Sequence, residues 1–316
     1  IHKIENRYND ILLSVSEFIT KIDIIFCKAN LITKYNLCIP EIIESDNSFV
    51  EAKNLRHSIV ECVNKNEIYT PNDIFLNKSG YLAFGTNGVG KSTLIKAQGI
   101  AIILAQAGMG VPAKEYQYYP YDKIFTRILG NDNLFKGQSS FIVEMLELNT
   151  ILKLSTSKSL ILGDEIAKGT VVSDSNCIFT QTLIDLSENK CSFMFATHLH
   201  DILKFEEVGK LIEKNQIKVC NMAIKYNQEN DLLIYDRSLV DGSGLATYGI
   251  EVCRSLHLPK KFIEGSLKLR CKYYPETSSV FDKKVSRYNS NKIKDICEKC
   301  KKNISTETHH KHKQSE

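Results

Sequence analysis

A nine-residue stretch has the residue types and spacing that hold a phosphate. Four of its members satisfy the pattern G-x-x-x-x-G-K-[ST]. Glycines let the backbone approach a phosphate closely, and the loop N–H groups join the N-terminus of the next helix in a cradle for anionic oxygens. The lysine of this pattern reaches the β- and γ-phosphates, and the serine hydroxyl binds Mg²⁺. The candidate nucleotide-binding residues are Gly85, Thr86, Asn87, Gly88, Val89, Gly90, Lys91, Ser92 and Thr93.

Two adjacent carboxylates follow an apolar segment and form the second candidate site. Residues 159–163 are typical of a buried strand, and Asp164 and Glu165 come directly after them. Such a pair often only caps a loop, but a preceding phosphate loop favours a nucleotide site. Asp164 is then predicted to hold Mg²⁺, directly or through water, and Glu165 to act as the general base on a water molecule.

A histidine and a serine complete the set of polar candidates. His198 follows a buried strand predicted over residues 191–196. Ligands of parallel α/β sheets bind at the carboxyl ends of the strands, so His198 could sense or stabilise a γ-phosphate. Its spacing alone favours an ordinary, partly exposed loop histidine. Ser139 begins a predicted helix, where it can serve as an N-cap or as part of an anion site.

Alternating strands and helices must position these residues. Strands are predicted near Leu82 and over residues 124–128, 159–163 and 191–196, with helices from Lys91 to about Ala107, from Ser139 and over about 173–189. Strands that are apolar throughout and alternate with helices predict an α/β fold with a mostly parallel sheet. A long amphipathic helix over 11–35 precedes this region. A hairpin over 221–235 and a helix pair over 249–256 and 259–270 follow it.

Composition limits the class of protein. The chain has 316 residues, of which 43% are hydrophobic and 25% charged, as in soluble globular proteins. It shows neither a membrane span nor a signal peptide, and the scattered cysteines favour reduced thiols in an intracellular protein. Because the first residue is Ile1, we expect a piece of a longer polypeptide. Residues 270–316 carry 12 Lys and Arg against 6 Asp and Glu, which indicates either a nucleic-acid-binding tail or a solvated one.

The tail also contains a possible metal clip. Cys297 and Cys300 form a C-x-x-C pair, and His309 and His310 follow. This spacing is typical of zinc ligands. An accidental pair in a disordered basic tail is the alternative.

Taken in order, these motifs resemble the ATPase domain of the MutS DNA mismatch-repair family. The similarity covers roughly residues 54–270, and several of its motifs are specific to that family. The stretches that carry it are 85–93, 124–128, 139–145, 164–170, 195–198 and 247–252.

The resemblance implies an ABC-type, P-loop ATPase that dimerises around ATP and Mg²⁺ and binds mismatched double-stranded DNA. It also implies that Asn87 and Lys91 contact phosphates, that Ser92 and Asp164 bind Mg²⁺, and that His198 reads the γ-phosphate. Ser139 would reach the ATP of the partner subunit. The long N-terminal helix resembles the end of the family's lever arm, and the helix pair resembles the segment that locks two subunits together.

The chain departs from the family pattern at two places. Thr86, Gly88 and Val89 stand where the family usually has Pro, a bulky apolar residue and Gly. Ala167 and Lys168 replace the usual Gly-Arg after the acidic pair. We expect nucleotide binding to survive the first change, whereas the second could alter subunit coupling or turnover.

The tail resembles the start of an HNH nuclease domain. That resemblance implies Cys297, Cys300 and His309 as ligands of a metal such as Zn²⁺, and His310 as the general base. Its later ligands would fall beyond Glu316, so we expect a truncated module. MutS-like proteins with this fusion occur in giant viruses and octocoral mitochondria, which predicts a virus-encoded or mitochondrial protein. The predicted divisions are the end of a helical domain (1–50), the ATPase domain (51–272), a linker (273–292) and the module (293–316). Another ABC-type DNA-maintenance ATPase, or a DNA-binding scaffold that hardly turns ATP over, is the alternative function.

Overall fold

A computed structural model describes residues 2–64, 69–77, 79–86, 88–128, 140–227, 232–244, 249–274, 285–286 and 289–293. The chain divides into two compact units. One comprises residues 1–224 and 235–244, and the other residues 225–234 and 245–316.

A six-stranded, mostly parallel sheet is the centre of the first unit. Its strand order is β10-β9-β4-β8-β7-β6, and β4 pairs in parallel with β8 and β9, as β7 does with β6 and β8. The predicted α/β class is therefore confirmed. The strands are β4 (Gly80–Phe84), β6 (Lys123–Arg127), β7 (Ser159–Asp164), β8 (Ser192–Thr197), β9 (Ile217–Asn227) and β10 (Leu232–Asp241).

Helices cover both faces of this sheet, because its strands are apolar on both sides. Along β4, Tyr81 and Ala83 belong to one core cluster and Leu82 and Phe84 to the other, as the two-residue period of a strand requires. Gly99 lets the first helix after the phosphate loop approach β7, since a Cβ there would lie 2.9 Å from Leu162 Cδ1. The helices are α3 (Lys91–Gln106), α4 (Ser140–Leu154), α5 (Val172–Glu188) and α6 (Glu206–Glu213).

A second, four-stranded sheet was not predicted from the sequence. Its order is β1-β5-β2-β3; β2 runs antiparallel to β3 and β5, and β1 runs parallel to β5. Alternating burial along β3 and β5 shows that one face of this sheet is packed and the other solvated. The strands are β1 (Glu41–Ile42), β2 (Phe49–Leu55), β3 (Asn72–Asn77) and β5 (Glu115–Tyr119), with the short helix α2 (Ser58–Val63) between β2 and β3.

The first helix, α1 (His2–Tyr35), confirms the long helix predicted over 11–35 and begins nine residues earlier. Its apolar face is solvent-exposed in this chain, with side-chain exposures between 48% and 63% at five positions, namely Ile11, Val15, Phe18, Ile22 and Phe26. This face is therefore available to chain segments or partners other than the residues described here.

The second unit contains the predicted helix pair, α7 (Gly249–Ser255) and α8 (Lys260–Tyr273). The guanidinium of Arg270 on α8 donates to both carboxylate oxygens of Glu251 on α7, at 2.7 and 3.3 Å. Both side chains are at least nine-tenths buried, so this pair joins the two helices from within. Two short strands, β11 (Val285–Ser286) and β12 (Asn289–Ile293), pair with each other; they lie in the predicted linker except for Ile293, the first residue of the predicted module. The domain boundaries remain predictions.

Candidate nucleotide site

The phosphate loop joins the end of β4 to the start of α3. Gly85, Gly88 and Gly90 have φ angles of +144°, +81° and +111°, a region that side chains with a Cβ rarely adopt. At Gly85 a Cβ would also lie 3.1 Å from Val89 Cγ1. Val89 is fully buried, so the apolar side chain of this loop points into the core, while at Gly88 the surroundings are open.

Lys91 is the buried cation of this loop. Its Nζ donates to the carbonyl oxygens of Gly85 and Thr86 at 2.6 and 2.9 Å, and only 4% of the residue is exposed. Burial lowers the pKa of Lys91, and the nearby charges of Glu165 and Asp164 partly oppose that effect. Lys91 therefore lies close to both predicted acidic residues. It is also held by backbone oxygens of the loop in which a phosphate is expected.

The acidic turn follows the end of β7. Asp164 and Glu165 are both 7% exposed, and Asp164 is in register with Ala196 of β8. Glu165 adopts a left-handed backbone conformation with φ of +53°, and its N–H donates to the Ala196 carbonyl at 2.9 Å. Its carboxylate accepts a short hydrogen bond from Lys168 Nζ through Oε2. The turn thus holds a buried carboxylate at the same sheet edge as the phosphate loop.

Glu144 of α4 and Ser175 of α5 hold this turn through hydrogen bonds to Ala167. Ala167 has a left-handed backbone conformation with a φ of +62°. Its N–H donates to Glu144 Oε1 of α4 at 2.7 Å, and its carbonyl accepts from the Ser175 hydroxyl of α5 at 2.6 Å. The left-handed backbone at Ala167 is therefore held by hydrogen bonds on both sides. The sequence analysis missed these contacts, because they depend on a backbone conformation that alanine does not signal.

His198 and a second histidine lie beyond the end of β8. The Nδ1 atom of His198 is 3.8 Å from Glu165 Oε1, too far for a hydrogen bond, and half of the side chain is exposed. His200 packs its ring against Phe84, the last residue of β4, with 4.7 Å between ring centroids. Burial lowers the pKa of His200, and the charges of His198 and Lys91 lower it further. His200 is therefore a neutral residue beside the site. The sequence analysis overlooked it, although the His-x-His spacing from His198 could have indicated it.

The described residues bring the main candidates together at one edge. Because β4, β7 and β8 run parallel and Phe84 is in register with Thr197, the phosphate loop, the acidic turn and His198 share the carboxyl edge of the sheet. The Ser92 hydroxyl and the Asp164 carboxylate are oxygen groups of the kind that Mg²⁺ prefers as ligands. Outside the described residues lie six candidates, namely Asn87, Ser139, Cys297, Cys300, His309 and His310.

Other features can be stated for the described residues alone. Among them, no group of three His, Cys, Asp or Glu side chains could hold a metal ion. Their eight cysteines are all free thiols. None of the described helices combines the length and the apolar character that crossing a bilayer requires.

A phosphate loop after one parallel strand, with an acidic turn after another, defines the mixed α/β class to which P-loop ATPase domains belong. The sequence profile of MutS domain V matches residues 81–271, which comprise more than half of the chain. The chain therefore belongs to the MutS family through this domain.

Named relatives agree with this membership. The chain is 35% identical to a putative DNA mismatch repair protein mutS homolog of Acanthamoeba polyphaga mimivirus, over 96% of its length and 30% of the relative's. It is 39% identical to a mitochondrial DNA mismatch repair protein mutS homolog of Sarcophyton glaucum, over 93% of its own length and 30% of the relative's. It is also 34% identical to the DNA mismatch repair protein MutS of Thermotoga maritima, over 83% of its own length and 32% of the relative's. The chain spans about a third of the length of these relatives.

Proposed function

We propose that this chain is the ATP-hydrolysing part of a MutS-like DNA mismatch-repair protein. The observation that carries the proposal is the convergence of Lys91, the acidic turn and His198 at one sheet edge, next to a loop that only glycines can shape. Lys91 would bind the β- and γ-phosphates of ATP, and Ser92 and Asp164 would hold Mg²⁺. Glu165 would take a proton from the attacking water, with His198 near the γ-phosphate.

Coupling to DNA and to a second subunit forms part of the same proposal. The exposed apolar face of α1 supports a role as the end of a lever arm that packs against further helices. The helix pair α7–α8 would lock two subunits together, and Ser139 would reach the ATP of the partner subunit. Mismatched double-stranded DNA is then the ligand whose binding the ATPase controls. The mimivirus and mitochondrial relatives support a virus-encoded or mitochondrial origin.

Steady-state release of inorganic phosphate tests this proposal. The wild type should hydrolyse ATP, and Lys91→Ala should abolish both binding and hydrolysis. Glu165→Gln should keep binding while turnover falls by a factor of about 100 or more, as is usual when a general base is removed. Stimulation by mismatched duplex beyond matched duplex would support the DNA role. A folded wild type that binds ATP but turns it over no faster than Glu165→Gln would refute the catalytic role.

That outcome would favour a second candidate, a nucleotide-dependent DNA-binding scaffold. One observation supports it, because Lys168 contacts the carboxylate that must accept the proton. In this arrangement Glu165 Oε2 already accepts a hydrogen bond from Lys168 and is not free to contact a water molecule. In a scaffold, ATP would still assemble dimers while the turnover of wild type and Glu165→Gln stayed equally low.

We also propose that the basic tail is a metal-binding module of HNH type. Residues after 271, where the domain V match ends, make up about a seventh of the chain. The mimivirus and Sarcophyton alignments leave only 4% and 7% of this chain uncovered. Because the tail is longer than that, both alignments must extend into it. Measuring bound zinc in the wild type and in Cys297→Ser tests the ligand set. A zinc content that is the same in both, or absent from both, would refute it.

A further inference from the structure

Lys168, one of the two residues that follow the acidic pair with a departure from the family pattern, is a second cation of the site. Its Nζ contacts Glu165 Oε2, yet about half of its side chain is exposed, whereas the carboxylate is 7% exposed. Lys168 therefore approaches the buried carboxylate from the solvent side. The ammonium also sits on a flexible four-carbon stem. Lys168 can therefore leave Glu165 and contact another anion without disturbing the core.

The shape of the acidic turn does not depend on Lys168. The Glu165 N–H is bound by the Ala196 carbonyl, and Ala167 is held by Glu144 and Ser175 from two helices. The turn would keep its backbone if the Lys168 side chain moved away. Lys168 thus acts on the charge of the site rather than on its architecture.

Lys168 and Lys91 share one electrostatic environment. The charge of Lys168 contributes to lowering the pKa of Lys91, although burial is the main cause. Each ammonium is engaged with an acceptor of the protein itself, Lys91 with loop carbonyls and Lys168 with a carboxylate. A polyphosphate that entered the loop would offer both cations acceptors that carry more negative charge.

We propose that Lys168 is a nucleotide-binding residue that exchanges Glu165 for the γ-phosphate of a bound nucleoside triphosphate. This inference rests on the function proposed above. The exchange leaves Glu165 Oε2 free to accept a proton from water, so the base becomes available only when a γ-phosphate is present. A nucleoside diphosphate lacks that group and leaves the Lys168–Glu165 contact in place.

Calorimetric titration of the 316-residue chain with AMP-PNP and with ADP, in the presence of Mg²⁺, tests this exchange. Lys168→Met should weaken AMP-PNP binding about tenfold, as expected for a lost hydrogen bond between charged groups, and change ADP binding by less than about twofold. Lys168→Arg should retain most of the AMP-PNP affinity. The matched control is Lys158→Met, because Lys158 precedes β7 at its opposite end, roughly 20 Å from the site at about 3.3 Å per strand residue.

Each outcome separates this inference from the proposed function. Selective loss of AMP-PNP affinity in Lys168→Met, with Lys158→Met unchanged, supports the exchange. Equal weakening for both nucleotides, or no weakening, refutes it while leaving the ATPase proposal intact. ADP binding by Lys168→Met also reports that the variant is folded. If the wild type binds neither nucleotide, the proposed function fails and this inference fails with it.

Discussion

Replacing Lys91 by methionine separates the task of this residue in nucleotide binding from any task in folding. Methionine keeps an unbranched stem but removes the charge and the hydrogen bonds to the Gly85 and Thr86 carbonyls. Hydrogen bonds of a charged group contribute roughly 1.5–3 kcal/mol each, and removing an ammonium from water costs several kcal/mol, so the two effects nearly cancel. The nucleotide-free variant should therefore unfold with a free energy within about 1 kcal/mol of the wild-type value, or above it.

The same substitution predicts a pH dependence with a definite sign. Burial lowers the pKa of Lys91, so the folded protein binds fewer protons than the unfolded chain between that lowered pKa and the ordinary value of 10.5. Wild-type stability should rise with pH across this window and fall as pH drops through the lowered pKa. Lys91→Met lacks this titration. The wild-type free energy of unfolding minus that of the variant should therefore increase as the pH approaches 10.5.

Urea unfolding with and without Mg²⁺ and AMP-PNP measures both effects. At a ligand concentration 100 times the dissociation constant, the wild type should gain about 2.7 kcal/mol, and Lys91→Met should gain almost nothing. A nucleotide-free variant destabilised by more than about 2 kcal/mol would show that the lysine holds the loop together. An undiminished gain with nucleotide would refute its contact with phosphate.

Three further substitutions or reagents test the packing. Arg270→Met should destabilise the helix pair by about 3–5 kcal/mol, because Glu251 is left buried without its partner; hydrogen exchange of the α7 amides measures this, and unchanged protection would contradict it. Gly163→Ala should cost about 1–3 kcal/mol, since its Cβ would lie 2.5 Å from two Phe195 ring atoms; an unchanged urea midpoint would refute that packing. Burial raises the pKa of Cys220 to about 12, so at pH 8 a thiol reagent should modify the exposed cysteines and leave Cys220 intact, as peptide mapping can check.

The sequence predicted the parts of this molecule whose chemistry restricts the residue types. A phosphate loop needs glycine, lysine and serine at fixed spacing, and strands buried on both faces need continuous apolar runs. The central sheet, α3 and the edge that gathers Lys91, Glu165 and His198 followed from those restrictions. The roles of these side chains stay predictions.

Two kinds of feature could not be predicted. The four-stranded sheet pairs strands far apart in sequence, such as Glu51 with Gln117, and its core-facing tyrosines alternate with polar residues in short stretches. The contact between Lys168 and Glu165 depends on left-handed backbone at Glu165 and Ala167, which neither residue type favours. In both cases tertiary structure decides what local preference leaves open.

Strand order has a consequence for how this site comes into being. In the sheet, β8 separates β4 from β7 although it is later in the chain than both, and Gly80 pairs with Phe193, 113 positions further on. A nascent chain stopped before β8 contains the whole phosphate loop and both carboxylates, but it lacks the strand that lies between β4 and β7 in the sheet. Such distant pairing is a slow step in folding. The sheet edge that carries the phosphate loop and the acidic turn is therefore complete only after the ribosome has delivered β8.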